Sequence, residues 1–349
     1  MGSRIAEMRR WRAGTVVHQR LHDLTGTLAV VTGAGSGIGR ATARAFSDVG
    51  AIVVVADRNL DTARETAEML NTPDPQAGGS RAVYGGGAHA YELDVADEEQ
   101  VRRFAATVRS QHGVPDVLVN NAGIAVIGTF TGTPQETFEH VMDVNFWGVV
   151  YGCRAFGDQM LERGTGGHIV NVASAAAFTP QKSLVAYSTS KAAVLMFTDC
   201  LRAELMGHGI GVSAICPGLV GTNLVPSAEM VGLGVREQRK LRERVTALYR
   251  TRSYPPQKVG EAIVAAVRHN RALVTVIRKR RPGSGSAGSP RRRCDSAHAS
   301  SRTDERRAGL HRPAQPRTAC YLARNSSRAA LTSSPCVHSS PCGAPSIST

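Results

Sequence analysis

The 349 residues allow one large domain or two small ones, and a hydrophobic content of 42% is enough for a globular core. No run of about 18 uninterrupted apolar residues occurs, so no membrane span and no membrane partner are expected. Of the formal charge of +14, a net +11 lies from Arg278 onward, where fourteen Lys/Arg face Asp295, Asp304 and Glu305; the basic balance therefore describes the tail.

Residues 1–24 form a basic N-terminal extension without the apolar core of a secretory signal. Gly2 is followed by Ala6 where a myristoylation signal wants Ser or Thr, and the reading is cytoplasmic. The seven cysteines show no paired spacing. Cys153, Cys200 and Cys216 lie in apolar stretches and read as reduced core residues, and no metal site is expected.

Residues 27–32 (TLAVVT) read as a buried parallel strand. The strand feeds a turn with Gly33, Ser36, Gly37, Ile38 and Gly39, and residues 40–49 then read as a helix. Strand, glycine-rich turn and helix make the first half of a dinucleotide fold. The glycines let the backbone approach a pyrophosphate, and the helix N-terminus offers N–H groups and partial positive charge. The next strand, 51–56 (AIVVVA), ends at Asp57. A carboxylate there can accept hydrogen bonds from both adenine-ribose hydroxyls and repels a 2′-phosphate, which favours NAD. Arg58 could instead pair with that phosphate, so NADP stays open. Asp57 as a cap for the helix from Leu60 is compatible with either cofactor.

Further strands are expected at 88–93, closed by Asp94 and Val95, and at 116–119, running into Asn120, Asn121, Ala122 and Gly123. Residues 71–87 read as a surface loop. Residues 134–162 read as a long helical region carrying Asn145, a residue disfavoured mid-helix. A fifth strand, 167–173, ends before Ser174; a sixth, 209–216, ends before Pro217 and Gly218; a last is expected at 272–277. Ligands of open parallel sheets sit beyond the carboxyl ends of the strands, so Thr32, Asp57, Asp94, Asn120 and Ser174 converge on one rim. Residues 219–240, with Leu224, Val225, Met230 and Leu233, suit a substrate lid or ordinary packing. Helices are expected at 236–250 and 256–269.

Residues 185–205 have helical periodicity. Spacing of four puts Tyr187 and Lys191 on one face, a turn apart. An ammonium so placed is expected to favour the phenolate and lower the pKa of Tyr187, giving an acid/base that works near neutral pH.

In this order and spacing the motifs, with Thr222 after Pro217-Gly218, resemble the short-chain dehydrogenase/reductase family over residues 24–277. The likeness looks closest to actinobacterial members, some of which follow an epoxide-hydrolase-like domain. The resemblance implies a Rossmann-like, doubly wound α/β fold, with a parallel sheet of about seven strands between helices. It also implies one catalytic domain at 25–277, a homotetramer or homodimer, and NAD(P)-linked oxidation of a small-molecule secondary alcohol or reduction of a ketone. Tyr187 would exchange the proton, Lys191 would lower its pKa and bind the nicotinamide ribose, and Ser174 would hold the substrate oxygen. Asn145 would hold a water in a proton relay. Asp94 would meet the adenine, Asn120 the adenosine ribose and Thr222 the carboxamide. The apolar lid suggests a hydrophobic substrate.

The family usually continues past the last strand with an apolar stretch that helps close the pocket. Here Arg278 opens a segment without apolar period that cannot offset chain entropy, so disorder is expected over 278–349. Two readings of this tail stand: a basic tail that touches nucleic acid or an acidic partner, or out-of-frame translation of a G/C-rich gene. The scarcity of aromatics and the lack of a repeat favour the second, so a nucleic-acid partner is not expected.

Overall fold

The computed structural model describes residues 21–72, 87–224, 226–232, 234–252 and 254–277, with backbone alone at 245 and 248–252. Most of the expected N-terminal extension, most of the 71–87 loop, the tail from Arg278, and Val225 and Leu233 lie outside the described residues. The folded part starts before residue 25: Leu24 is fully buried and Leu21 packs against the same core.

Seven parallel strands form one sheet in the order β3-β2-β1-β4-β6-β7-β9. They are β1 (Leu28–Thr32), β2 (Ile52–Asp57), β3 (Ala88–Glu92), β4 (Val117–Asn120), β6 (Gly167–Val172), β7 (Ile210–Pro217) and β9 (Leu273–Val276). The chain winds outward from β1 through β2 to β3, then returns to β4 and winds the other way. The reversal opens a crevice between β1 and β4 beyond their carboxyl ends, where such sheets bind ligands. A separate parallel pair, β5 (Val126–Ile127) with β8 (Glu229–Met230), lies outside this sheet.

Both faces of the sheet are covered, which explains the unbroken apolar runs. Ala29, Val31, Val53 and Val55 join one core, while Leu28, Val30, Val54 and Ala56 join the other. The helices are α1 (Gly37–Ser47), α2 (Leu60–Asn71), α3 (Glu98–His112), α4 (Gln135–Met142), α5 (Gly148–Arg163), α6 (Val185–Leu205), α7 (Val235–Arg252) and α8 (Pro256–Arg268). The expected long helix at 134–162 is continuous, but Asp143–Trp147 forms a π-helical turn between α4 and α5. No described helix is long and apolar enough to cross a membrane. Cys153 and Cys216 are buried as expected. Cys200 is a correction: it is exposed on the outer face of α6, where an apolar neighbourhood in sequence does not mean an inward position on the helix.

Candidate active site

One cleft of about 580 Å³ runs along the carboxyl rim of the sheet, within the range of small-molecule sites. The glycine turn forms one end. Gly33 and Gly37 adopt left-handed φ of 63° and 54°. A Cβ on Gly33 would lie 2.7 Å from the Ala122 Cα, and one on Gly39 only 2.0 Å from the Gly33 carbonyl oxygen. Gly39 therefore serves close packing of α1 and does not line the cleft, whereas Gly33, Ser36, Gly37 and Ile38 do.

The N-terminus of α1 differs from its neighbours. Asn59 caps α2 by accepting from the Asp61 and Thr62 N–H groups, and Asp97 caps α3 by accepting from Gln100 N–H. Ser36, at the start of α1, makes no side-chain cap, and no acid stands in the first turn. The first N–H groups of α1 are thus left to whatever enters the cleft, with the positive end of the helix dipole behind them. Since Asn59 caps α2, Asp57 is released from that duty. Its carboxylate accepts from Gly35 N–H at 2.8 Å and Asn59 N–H at 3.0 Å and lines the cleft beside Arg58. Arg40 is spent elsewhere, on the Gly35 carbonyl, Glu65 and Thr66.

Buried Thr32 ties the glycine turn to the loop after β4. Its hydroxyl oxygen accepts from the N–H groups of Asn121 and Ala122 at 3.1 and 3.2 Å. The Asn121 amide donates to the carbonyls of Thr32 and Gly33 at 2.9 and 3.1 Å. Asp94, Val95, Asn121, Ala122, Gly123, Pro217, Gly218 and Thr222 all line the cleft. Asn120 does not. Its side chain turns into the core and donates to Asn171 Oδ1 at 2.9 Å and towards Cys153 Sγ, so the contact expected between Asn120 and a ribose has no geometric support. Successive strand residues face opposite ways, and this alternation separates Asn120 from Asn121.

Ser174 follows β6 in an extended conformation, and its oxygen accepts from Ala176 N–H at 3.1 Å. Ser174 and Tyr187 both line the cleft. Lys191, buried one turn on, donates to the Val172 carbonyl at 2.9 Å, and its Nζ lies 6.0 Å from the centre of the Tyr187 ring. Asn145 sits fully buried in the π turn. Its amide donates to the Ile124 carbonyl at 2.9 Å and the Ser190 hydroxyl at 3.0 Å, while its carbonyl oxygen accepts from Ile124 N–H at 2.8 Å. A Cβ on Gly123 would stand 3.0 Å from Asn145 Oδ1 and 3.3 Å from Lys191 Nζ, so the missing side chain leaves these two groups facing one small space.

The electrostatics depart from the sequence-based expectation. Burial is the largest influence on Tyr187 and raises its pKa, with the Ser174 hydroxyl pulling the other way; no lowering by Lys191 appears. Burial also brings Lys191 down to about 8, opposed by the nearby Cys216. A cation that is itself costly to bury, and 6 Å from the ring centre, does not offset the desolvation of the phenolate.

Part of the opposite wall, Leu224 and Met230, lies in the segment expected as a lid or as ordinary packing, but the short strands that fasten it were not expected. There Ala125, Ile127, Ala228 and Met230 pack with Leu184, Tyr187, Leu224 and Leu241. The expected lid is held down by the β5–β8 pair, by Gln238 donating to the Met230 carbonyl at 3.1 Å, and by Arg242 donating to the Pro226 carbonyl. Two-residue strands give no periodic signal to read.

The family model for short chain dehydrogenases matches residues 27–230. The chain belongs to that family. As a short-chain dehydrogenase it is 49% identical over 249 residues to the probable oxidoreductase EphD of Mycobacterium tuberculosis, a match covering 71% of this chain and 40% of that protein. The chain thus spans well under half the length of this relative. It is 36% identical over 242 residues to the 2-(R)-hydroxypropyl-CoM dehydrogenase of Xanthobacter autotrophicus, covering 68% of this chain and 88% of that one. Among solved structures, a short-chain dehydrogenase/reductase from Burkholderia phymatum in complex with NAD superposes with a TM-score of 0.64. It shares 27% identity and covers 72% of this chain and 89% of that one.

Proposed function

We propose that this short-chain dehydrogenase transfers a hydride between NAD(H) and a hydrophobic secondary alcohol or ketone. The observation that carries the reading is that Ser174, Tyr187 and Lys191, the last two a helical turn apart, line the same cleft as an uncapped helix N-terminus. The residues fit a dinucleotide. The Gly33–Gly37 backbone forms a cradle, the α1 N–H groups would hold a pyrophosphate, and the Asp57 carboxylate suits free ribose hydroxyls and disfavours a 2′-phosphate. That relatives of this fold are seen with NAD and with NADH supports the choice.

When bound, the nicotinamide supplies or takes the hydride. This chain's residues handle the proton and the developing charge. Ser174 and Tyr187 present two hydroxyl donors to the substrate oxygen, where negative charge builds during reduction. Tyr187 gives its proton to that oxygen in reduction and receives it in oxidation. Its raised pKa keeps it protonated at neutral pH, ready as the acid. Lys191 stands one turn on with its amine 6.0 Å from the centre of the ring left as phenolate, and Asn145 fixes the loop at Ile124 that borders the reacting space. The apolar wall of Leu184 and Leu224, backed by Met230, excludes water and favours an aliphatic substrate.

The test is a titration with NADH and with NADPH, followed by turnover over a panel of secondary alcohols and ketones of increasing chain length. Tighter NADH binding and kcat/KM rising with apolar length are expected. Preference for NADPH, or no turnover of any carbinol or ketone, would sink the reading.

A further inference from the structure

The outer surface of α7 has no evident role in the chemistry. Gln238, Leu241 and Arg242 share one face of this helix and hold it to the wall beside Tyr187. The opposite face carries Arg236, Arg239, Lys240 and Arg244, all exposed, with exposed Glu243 among them, and none of the four forms an ion pair among the described residues. Between 235 and 247 there are five basic side chains and two carboxylates, Glu237 and Glu243. A cationic face is therefore fixed on the outside of the substrate wall.

Bulky apolar side chains stand exposed on the same rim. Val235, first in α7, is 85% exposed; Phe130 is 66% and Phe178 51% exposed. Phe130 is carried by the turn after β5. This turn is clamped between two neighbours: Gly128 N–H donates to the Ser183 carbonyl, and a Cβ on Gly132 would meet Gly232, three residues before Val235. Phe178 belongs to the loop whose Ala175, Ala176, Thr179 and Gln181 line the cleft, and exposed Lys182 follows it. Aromatic and aliphatic side chains offered to solvent beside unpaired Arg and Lys are what an anionic lipid surface engages, by shallow insertion plus attraction to headgroups.

We propose that the rim formed by α7, Phe130 and Phe178 docks this protein on an anionic lipid surface. An acidic protein would satisfy the cations but has no call on three separate exposed apolar side chains. The expectation of no membrane partner rested on the lack of a spanning segment, and adsorption needs none. On the functional reading above, docking sets the apolar cleft against the phase from which a long-chain alcohol or ketone enters.

The full chain is mixed with vesicles of phosphatidylcholine alone, or with a minority of phosphatidylglycerol, and sedimented. Binding to the anionic vesicles only, weakening with salt, is expected. The variant R236Q/R239Q/K240Q/R244Q should bind at least about tenfold more weakly, and Phe130→Ser/Phe178→Ser several-fold more weakly, in the full chain with its basic tail intact. Turnover of a short water-soluble ketone should stay at the parent level in both variants, while reduction of a vesicle-borne long-chain ketone falls. Absence of parent binding, equal binding by the charge variant, or an apolar variant that changes oligomeric state without changing vesicle binding would overturn the proposal. Should the parent turn over neither ketone, the redox reading fails while sedimentation still decides docking.

Discussion

The two walls of the cleft are built differently. The wall around the glycine turn is anchored in the buried sheet: Thr32, Asn121 and Asp57 tie turn to turn through side-chain-to-backbone hydrogen bonds, and each sits at the end of a strand packed on both faces. Among the described residues, the wall from Leu219 to α7 is fastened by a pair of two-residue strands, a backbone bridge between Val220 and Tyr254, side-chain hydrogen bonds from Gln238 and Arg242, the buried Ala228 and Met230, and the partly buried Leu241. A cofactor of fixed shape can be met by a preformed cradle, whereas a family that accepts many substrates varies the lightly attached side. The two walls differ in buried attachments and not in the amount of regular structure: α7 is one of the longer helices, yet none of its described side chains is fully buried.

The seam between the walls is Tyr187, and the largest effect is expected there. Tyr187→Phe should lower turnover by about 10²–10⁴-fold with NADH affinity unchanged, measured by steady-state rates and fluorescence titration. Parent-like rates would remove the tyrosine from the chemistry. Next comes the rigid wall. In Gly39→Ala the new Cβ meets the Gly33 carbonyl, backbone that cannot yield, so NADH binding should weaken at least about tenfold and stability fall by about 1–3 kcal/mol. A variant that binds NADH normally would show the cradle to be less rigid than its contacts imply.

Lys191→Met separates function from stability. The Lys191 pKa is lowered by burial from 10.5 to about 8. Below 8 both folded and unfolded chains are protonated, and the cost of burying the cation is fully present. Between 8 and 10.5 the unfolded chain still binds a proton that the folded chain has lost, so the parent gains stability as pH rises. The inactive Met variant should therefore be the more stable at pH 7, by roughly 3 kcal/mol at most, with the gap closing across that window. A gap independent of pH in denaturant unfolding would contradict the burial of a charged Lys191. The smallest effect is expected on the light wall. Leu241→Ala should cost about 1 kcal/mol of stability or less, yet raise KM for a hydrophobic ketone several-fold with kcat retained.

The sheet, its crevice and most cleft residues were legible because their signals are local: apolar runs bounded by turn residues, and chemistry-bearing side chains at strand ends. Four features were not. Asn120 and Asn121 look alike in sequence, and only the strand phase separates a core amide from a cleft amide. Cys200 lies among apolar neighbours yet faces outward, because helical position outweighs sequence neighbourhood. The sign of the Tyr187 shift depends on depth and on where the Lys191 amine points, neither of which a spacing of four encodes. The β5–β8 pair is too short to have a pattern at all.

The π turn at Asp143–Trp147 carries one more consequence. A single surplus residue there rotates everything after it by about 100° relative to an unbroken α-helix. Shortening the stretch by one residue would restore regular winding and still swing either Asn145 or the α5 face packed on the sheet out of phase. The chain holds a less favourable helix because two partners, Ser190 on one side and the sheet on the other, demand orientations that 3.6-fold winding cannot serve together.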